Sequence, residues 1–325
     1  MISDKINIFN KKFFLNFFFG LIISFIFIYY SLQNFNVYKF FRISSQINYS
    51  FILASIFFLI FSVYLRAIRW KTLLNNKIQT NFLYKAQLIG YFGNNIFPLR
   101  FGELLKSYFV SIENNTSISK VFGSVILERT LDMLGAGILL LFLLVFNKNY
   151  LILIDNYIFY SIILMFLIGI IGSSLSVFKK KNIFLKSKNR FLIIIKDIYT
   201  GFSSLNISNI LKVFFITLII WLIYILNVYL LQSAFHLNLS INQCIVLLLI
   251  STVALAIPAL PGSFGTFEGS IVYSLSLFNL TDDFGFSFMM HAASYIPYTF
   301  LGFIYFMEQS KKIKKFSSFT TNTIK

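Results

Sequence analysis

The chain has 325 residues, 58% of them hydrophobic and only 12% charged, with a mean hydropathy of +0.79. Such proportions exclude a soluble globular domain and indicate a polytopic membrane protein. The formal net charge of +17 does not point to nucleic acid, because the 28 Lys and Arg lie in short stretches between apolar runs and no soluble basic domain carries them. The lone Cys244 rules out an internal disulfide and a multi-cysteine metal site.

Taken in order, the apolar runs predict about six full spans. Lys11 and Lys12 ahead of Phe13 to Tyr30 resemble the opening of a signal peptide. No small-residue cleavage site follows, so 13–30 is expected to be a retained first span. A second span, 49–67, ends in Arg66-Ala-Ile-Arg69-Trp70, where anchoring at the membrane interface competes with contact to a lipid phosphate. Region 82–112 is longer than a span and is broken by Asn95-Ile-Phe-Pro98-Leu-Arg100-Phe-Gly102-Glu103. Spans at 121–146, carrying Glu128, Arg129 and Asp132, and at 157–178 follow.

The basic segment 179–207 is expected to form a cytoplasmic loop with an interfacial helix. Phe191, Ile194, Ile195, Ile198, Phe202 and Leu205 recur there at helical spacing. After a span at 213–232, region 243–280 is broken by Pro258-Ala-Leu-Pro261-Gly262-Ser-Phe-Gly265-Thr-Phe-Glu268. The last span, 286–307, contains His291, read as a packing residue, and the polar tail 316–325 is expected to be disordered.

Each broken region splits into pieces too short to cross a ~30 Å hydrocarbon core. Backbone freed at such depth must be buried in protein or line a cavity, so both regions are expected to be re-entrant hairpins. With the N-terminus inside, every Lys and Arg falls on the cytoplasmic side except Lys39, Arg42 and Lys148 outside and Arg100, Lys106 and Arg129 within the membrane. The fold class is therefore all-α: one transmembrane domain over 1–325, multi-pass in the cytoplasmic membrane, with both termini cytoplasmic. Its halves, about 13–146 and 157–307, form an inverted pseudo-repeat, with one hairpin entering from each side. Paired broken helices of this kind mark transporter binding sites.

The chemistry belongs to the few ionisable residues inside this apolar sequence, which are costly to keep there. A helix restarting near Gly102 or Gly265 offers unpaired N–H groups and a positive dipole end to an anion. Arg100 adds a forked donor suited to phosphate. Glu103 and Glu268 stand either as helix-start acids or as groups that meet a cationic portion of a ligand or carry protons. Glu128, Arg129 and Asp132 share a helical neighbourhood, and a structural ion-pair network competes with a binding role for them. No nucleophile elbow, metal spacing or phosphate-cradling lysine loop is present, so no catalytic residue, metal or cofactor is expected.

In order, the motifs are Arg66-x-x-Arg69-Trp70, Asn95-x-x-Pro98-x-Arg100-x-Gly102-Glu103, Glu128-Arg129-x-x-Asp132 and Pro261-Gly262-x-x-Gly265-x-x-Glu268. The set resembles the flippase-like transmembrane family that includes the membrane region of lysylphosphatidylglycerol synthases, over roughly residues 10–310. The resemblance implies a prokaryotic inner-membrane protein whose relatives move aminoacylated phospholipid between leaflets. It points to the same residues as a substrate site. No soluble synthase domain follows Lys325 in this sequence, so lipid aminoacylation by this chain is not expected.

The expected function is translocation of an amphipathic, phosphate-bearing lipid, aminoacyl-phospholipid-like or polyprenyl-linked, without covalent chemistry. Besides the lipid, a separately encoded lipid-modifying enzyme and a second copy of the chain are the candidate partners. Three other readings stay open: an integral-membrane enzyme acting on a lipid-linked substrate, an accessory subunit of a separate synthase, and an ion-coupled carrier of a soluble anion.

Overall fold

The computed structural model of the protein describes residues 46–75, 78–98, 100–147, 154–177, 189–257, 260–280 and 284–322, with positions 22, 26, 29 and 149 besides. Most of the first expected span, most of the basic loop up to 188 and Pro258 lie outside the described residues. All regular structure among the described residues is helical. Ten α-helices follow one another: α1 Tyr49–Leu73, α2 Thr80–Ile96, α3 Gly102–Glu113, α4 Ile118–Phe146, α5 Asn156–Val177, α6 Arg190–Phe202, α7 Ile210–Ala234, α8 Ile241–Ala256, α9 Thr266–Ser276 and α10 Phe284–Asn322.

The long helices start where polar caps meet apolar runs. Asn48 accepts the Ser50 amide at 3.1 Å ahead of α1, and Ser117 accepts the Lys120 amide at 3.3 Å ahead of α4. Before α8, Ser240 and Gln243 close a reciprocal capping box. Helices α1, α4, α5 and α7 are long and apolar enough to cross a membrane. The expected span 286–307 forms part of α10, which runs unbroken through Pro297. It falls outside that apolar set because it carries His291, Tyr295 and Thr299, whose polar groups serve the hairpins. Helix α10 also continues to Asn322, so the tail expected to be disordered from 316 is helical for its first residues.

Both broken regions are helical hairpins. Helix α2 stops just short of Pro98 and α3 begins at Gly102, and the two arms pack against each other. Their contact is backbone on backbone: a Cβ added to Gly102 would come within 1.9 Å of the Gly90 carbonyl oxygen, so only glycine fits. Helices α8 and α9 also pack against each other, joined through a short 3₁₀ turn at Pro261–Ser263.

The two halves repeat one order: a long helix (α1 or α7), a hairpin (α2–α3 or α8–α9), then a long helix (α4 or α10). They run in opposite senses. Where α1 begins and α7 ends, the Asn48 amide donates to the Ala234 carbonyl at 3.2 Å. At the far end, just beyond α1 and before α7, Asn206 Nδ2 donates to Asn75 Oδ1 at 2.8 Å.

Each end has its own apolar core. Phe235, Leu239, Cys244, Leu275 and Phe286 join the open end of α8–α9 to the first end. Leu73, Ile78, Leu83, Val110, Val121 and Val213 join the open end of α2–α3 to the second. The hairpins thus enter from opposite ends, as an inverted pseudo-repeat requires.

Helix α6 packs against α4 through Gly123 and Gly201. Its Phe191 and Ile194, on the face marked out by the helical spacing, are exposed, as is Ile193 off that face.

Candidate functional site

The hairpin tips meet at α10. Asn95, in the last turn of α2, donates to Thr299 Oγ1 at 2.8 Å, and Tyr295 Oη donates to the Asn95 carbonyl at 3.2 Å. From the other side, Gly262 lies against the Tyr295 ring, where an added Cβ would stand 2.6 Å from Cε2. Gly262 also holds φ at 71°, a left-handed conformation that L side chains rarely adopt. The Phe264 ring packs on Tyr295 with centroids 5.0 Å apart. Pro98 follows closely on the end of α2, whereas Pro261 opens the 3₁₀ turn between α8 and α9.

The two helix starts differ electrostatically. At α9 the Glu268 carboxylate folds back on its own helix start, Oε2 accepting the Gly265 amide at 2.7 Å. Its other oxygen lies 2.6 Å from His291 Nδ1, and the imidazole packs on Phe264 and Phe267. Glu268 is buried, so the positive end of α9 is filled by the protein's own anion. Glu268 thus takes the helix-start position, one of the two roles open to it from the sequence, and its side chain occupies the start at Gly265.

At α3 the start has no side-chain cap. Glu103 turns away to Arg129, its Oε1 lying 2.6 Å from Nε and 2.5 Å from Nη2. Arg100, two residues before the helix, is exposed and makes no ion pair among the described residues. It holds φ at 54°, a position usually left to glycine or asparagine.

Behind this start lies a buried charge network from α1, α2, α3, α4 and α7. Asp132 accepts Arg69 Nη2 at 2.7 Å on Oδ1 and is hydrogen-bonded to Arg66 through Oδ2, with Arg129 Nη1 3.6 Å away. Tyr224 and Thr217 hold the far sides of the two guanidinium groups at 2.7 and 3.1 Å. Glu128, one turn before Asp132, faces a different partner. Lys106 Nζ lies 2.7 Å from its Oε2, Gln87 Nε2 donates to its Oε1 at 2.8 Å, and Lys106 closes the triangle on Gln87 Oε1 at 3.0 Å. The Lys106 ammonium also sits over the Trp70 ring at 4.5 Å, while the Trp70 indole N–H donates to Ser124 Oγ at 2.9 Å.

Arg66, Arg69 and Trp70 are placed differently from either sequence expectation. They are 6%, 0% and 0% exposed and face the bundle interior, not the membrane interface or a lipid phosphate. Buried charge is tolerated when paired, and both arginines pair with Asp132, although the Nε of each finds no hydrogen-bond partner among the described residues. Glu128 and Asp132 share a face, as the spacing implies, yet they serve separate networks. Arg129, a third exposed, links Glu103 to Asp132 and is the most accessible member.

The sequence reading passed over Gln87, Lys106, Tyr295 and the Glu268–His291 pair. A lysine inside an apolar hairpin was a usable signal for Lys106. Nothing local pairs His291 with a glutamate on another helix. Five cations (Arg66, Arg69, Arg100, Lys106, Arg129) face three carboxylates (Glu103, Glu128, Asp132), so the first hairpin's side of the molecule carries an excess of positive charge. The arrangement can receive an anion at Arg100 and the open start of α3. Arg129 stands beside it, able to exchange partners.

Comparison with known proteins agrees with this architecture. Residues 17–302 match the model of the family described as the lysylphosphatidylglycerol synthase TM region. A UPF0104 membrane protein of Methanocaldococcus jannaschii is 29% identical over 235 residues, which cover 69% of this chain and 97% of that protein. A second UPF0104 membrane protein, from Methanothermobacter thermautotrophicus, is 25% identical over 231 residues, 63% of this chain and 67% of its own. No solved structure matches.

Proposed function

The chain belongs to the lysylphosphatidylglycerol synthase TM-region family, and from that premise we propose that it moves an amphipathic lipid with a phosphate-bearing head group between the leaflets of the cytoplasmic membrane. The observation that carries this reading is the asymmetry of the hairpin starts. One is filled by Glu268, while the other is open and flanked by Arg100, a cation with no ion-pair partner among the described residues. A phosphate group meets there the positive end of a helix dipole and a forked donor.

Arrival of the phosphate draws Arg129 away from Glu103, and Glu103 then becomes available to an ammonium group or a proton. The opposed hairpins supply the alternating access, with no covalent step. A polar path of this kind removes the cost of dragging a charged head group through hydrocarbon. Both termini lie on the cytoplasmic side in this reading, and a separately encoded lipid-modifying enzyme supplies the substrate.

The test is leaflet exchange in liposomes holding the purified protein, with fluorescent phospholipids and polyprenyl phosphates as probes. The native chain is expected to exchange one lipid class selectively. Arg100→Ala is expected to slow that exchange tenfold or more, and Glu268→Gln to slow it by deforming the second tip. Equal, unselective leakage in all three proteins, or no exchange of any lipid, would overturn transport and favour the accessory-subunit or lipid-linked-enzyme reading, whereas selective exchange unchanged in both variants would overturn the site assignment.

A further inference from the structure

Glu268 and His291 form a buried pair whose chemistry the lipid path at Arg100 does not use. Glu268 is 2% exposed and His291 6%. One carboxylate oxygen accepts the Gly265 amide at 2.7 Å, and the other lies 2.6 Å from His291 Nδ1. As the anion that closes the start of α9, Glu268 can only accept, so Nδ1 carries the hydrogen between them. Nε2 is then the nitrogen with the free lone pair, and it makes no hydrogen bond among the described residues. The ring thus keeps one bond in both protonation states and has a second position at which a proton can come and go.

The surroundings suit a cation there. Phe264, Phe267 and Tyr295 enclose the imidazole, with ring centroids 4.7, 4.9 and 5.5 Å away. Glu268 on α9 and Tyr295 on α10 itself are the titratable groups that meet it. From α1 and α7 this stretch of α10 receives apolar residues, Ile52, Leu231 and Phe235. From α2, Asn95 reaches Tyr295, and Tyr91 stacks on Tyr298 further along. A proton on Nε2 is therefore met by one carboxylate and by aromatic π systems, both favourable to positive charge.

Position gives that proton a mechanical consequence. His291, Tyr295 and Thr299 recur every four residues and share one face of α10. His291 holds α9 through Glu268, Tyr295 packs on Phe264 of one tip and donates to Asn95 of the other, and Thr299 accepts from Asn95. One stripe of α10 thus grips both hairpins.

We propose that His291 is a proton-binding site and that its proton is the ion coupled to movement of the second hairpin. Uptake from water at Nε2 converts a neutral imidazole bonded to an anion into an imidazolium–carboxylate pair, which fastens α9 to α10. Return of the proton to water loosens the second tip, while the first stays held through Asn95. The coupling, though not the proton site itself, rests on the transport reading.

The chain has two histidines, His236 and His291. His236 is exposed and holds φ at 55°, which asparagine tolerates, so His236→Asn leaves His291 as the one imidazole. Nitrogen-15 NMR of the histidine-labelled full chain in detergent then reads both ring nitrogens. In alkaline buffer Nδ1 is expected to carry the hydrogen, and acidification is expected to add one reversibly at Nε2 while the helices persist. Glu268→Gln is expected to lose the fixed Nδ1–H form. In liposomes with the membrane potential clamped, the fluorescent phospholipid and polyprenyl-phosphate probes are followed under a gradient of about one pH unit. The gradient is expected to skew the leaflet distribution of the exchanged lipid by up to about tenfold, the limit for one proton per lipid. His291→Gln, which can still donate to Glu268, is expected to remove the skew.

An Nε2 that stays unprotonated at every pH at which the helices persist, or a hydrogen on Nε2 in place of Nδ1 in alkaline buffer, overturns the site. Selective exchange that ignores the gradient, or a skew unchanged in His291→Gln, overturns the coupling. If no probe is exchanged, the transport reading fails and the coupling with it, and the Nε2 resonance alone decides the proton site. Where His291→Gln does not fold, the native response to the gradient and that resonance still decide.

Discussion

Lys106 and Glu128 are the residues on which burial and charge conflict most directly. They are 4% and 1% exposed, and each satisfies the other at 2.7 Å. Removing one partner of a buried pair leaves an uncompensated charge and costs about 3–5 kcal/mol, whereas removing both is far milder. Lys106→Met and Glu128→Gln are therefore each expected to lower the melting temperature of the detergent-solubilised protein sharply, and the double variant to recover much of the loss. Simple additivity of the two shifts would show that the pair is not coupled. Arg129 is the contrasting case: a third exposed and bridging two acids, its replacement by Gln is expected to change lipid exchange more than stability. Sequence spacing placed Glu128, Arg129 and Asp132 together, but it held no information on which cation each acid meets. Those partners arrive from α1 and α3, whose rotation about their own axes is set by packing.

At the level of elements, the hairpins were the most legible part of the chain. Pro98, Gly102, Pro261, Gly262 and Gly265 interrupt membrane-grade apolar sequence, and backbone chemistry allows few other outcomes there. What the sequence concealed is how closely the arms approach. Gly90 and Gly93 read as ordinary small residues within a helix, yet they let α3 rest on the backbone of α2. Gly102→Ala is accordingly expected to cost about 1–3 kcal/mol, the range for an overpacked contact. The decrease should appear as a lower melting temperature with helix content retained. An unchanged melting temperature would mean that the arms stand further apart than described. The docking of α6 on α4 was hidden for the same reason: Gly123 and Gly201 carry no hydrophobic signal of their own, while the periodicity of α6 predicted the helix itself. The last span was legible as a span containing His291, but nothing in the sequence showed that His291, Tyr295 and Thr299 of α10 meet the two hairpins.

For the molecule as a whole, the defining property is that α1 and α7 run antiparallel, so the two hairpins open toward opposite ends. Charge placement along the sequence implied this arrangement before any contact was known, because the basic segments fall on one side only if both broken regions turn back. The geometry makes it testable without a substrate. Cys244 is buried and can be removed as Cys244→Ser. Single cysteines are then introduced as Glu113→Cys, at the exposed end of α3, and as Ile241→Cys, at the 59%-exposed start of α8. A membrane-impermeant maleimide is expected to label the second position in intact spheroplasts and the first only in inverted vesicles. Labelling of both from one side would mean that a hairpin crosses the membrane fully. In that case the two tips could not meet at Tyr295, and the phosphate site at Arg100 would lose the opposing half on which alternating access depends.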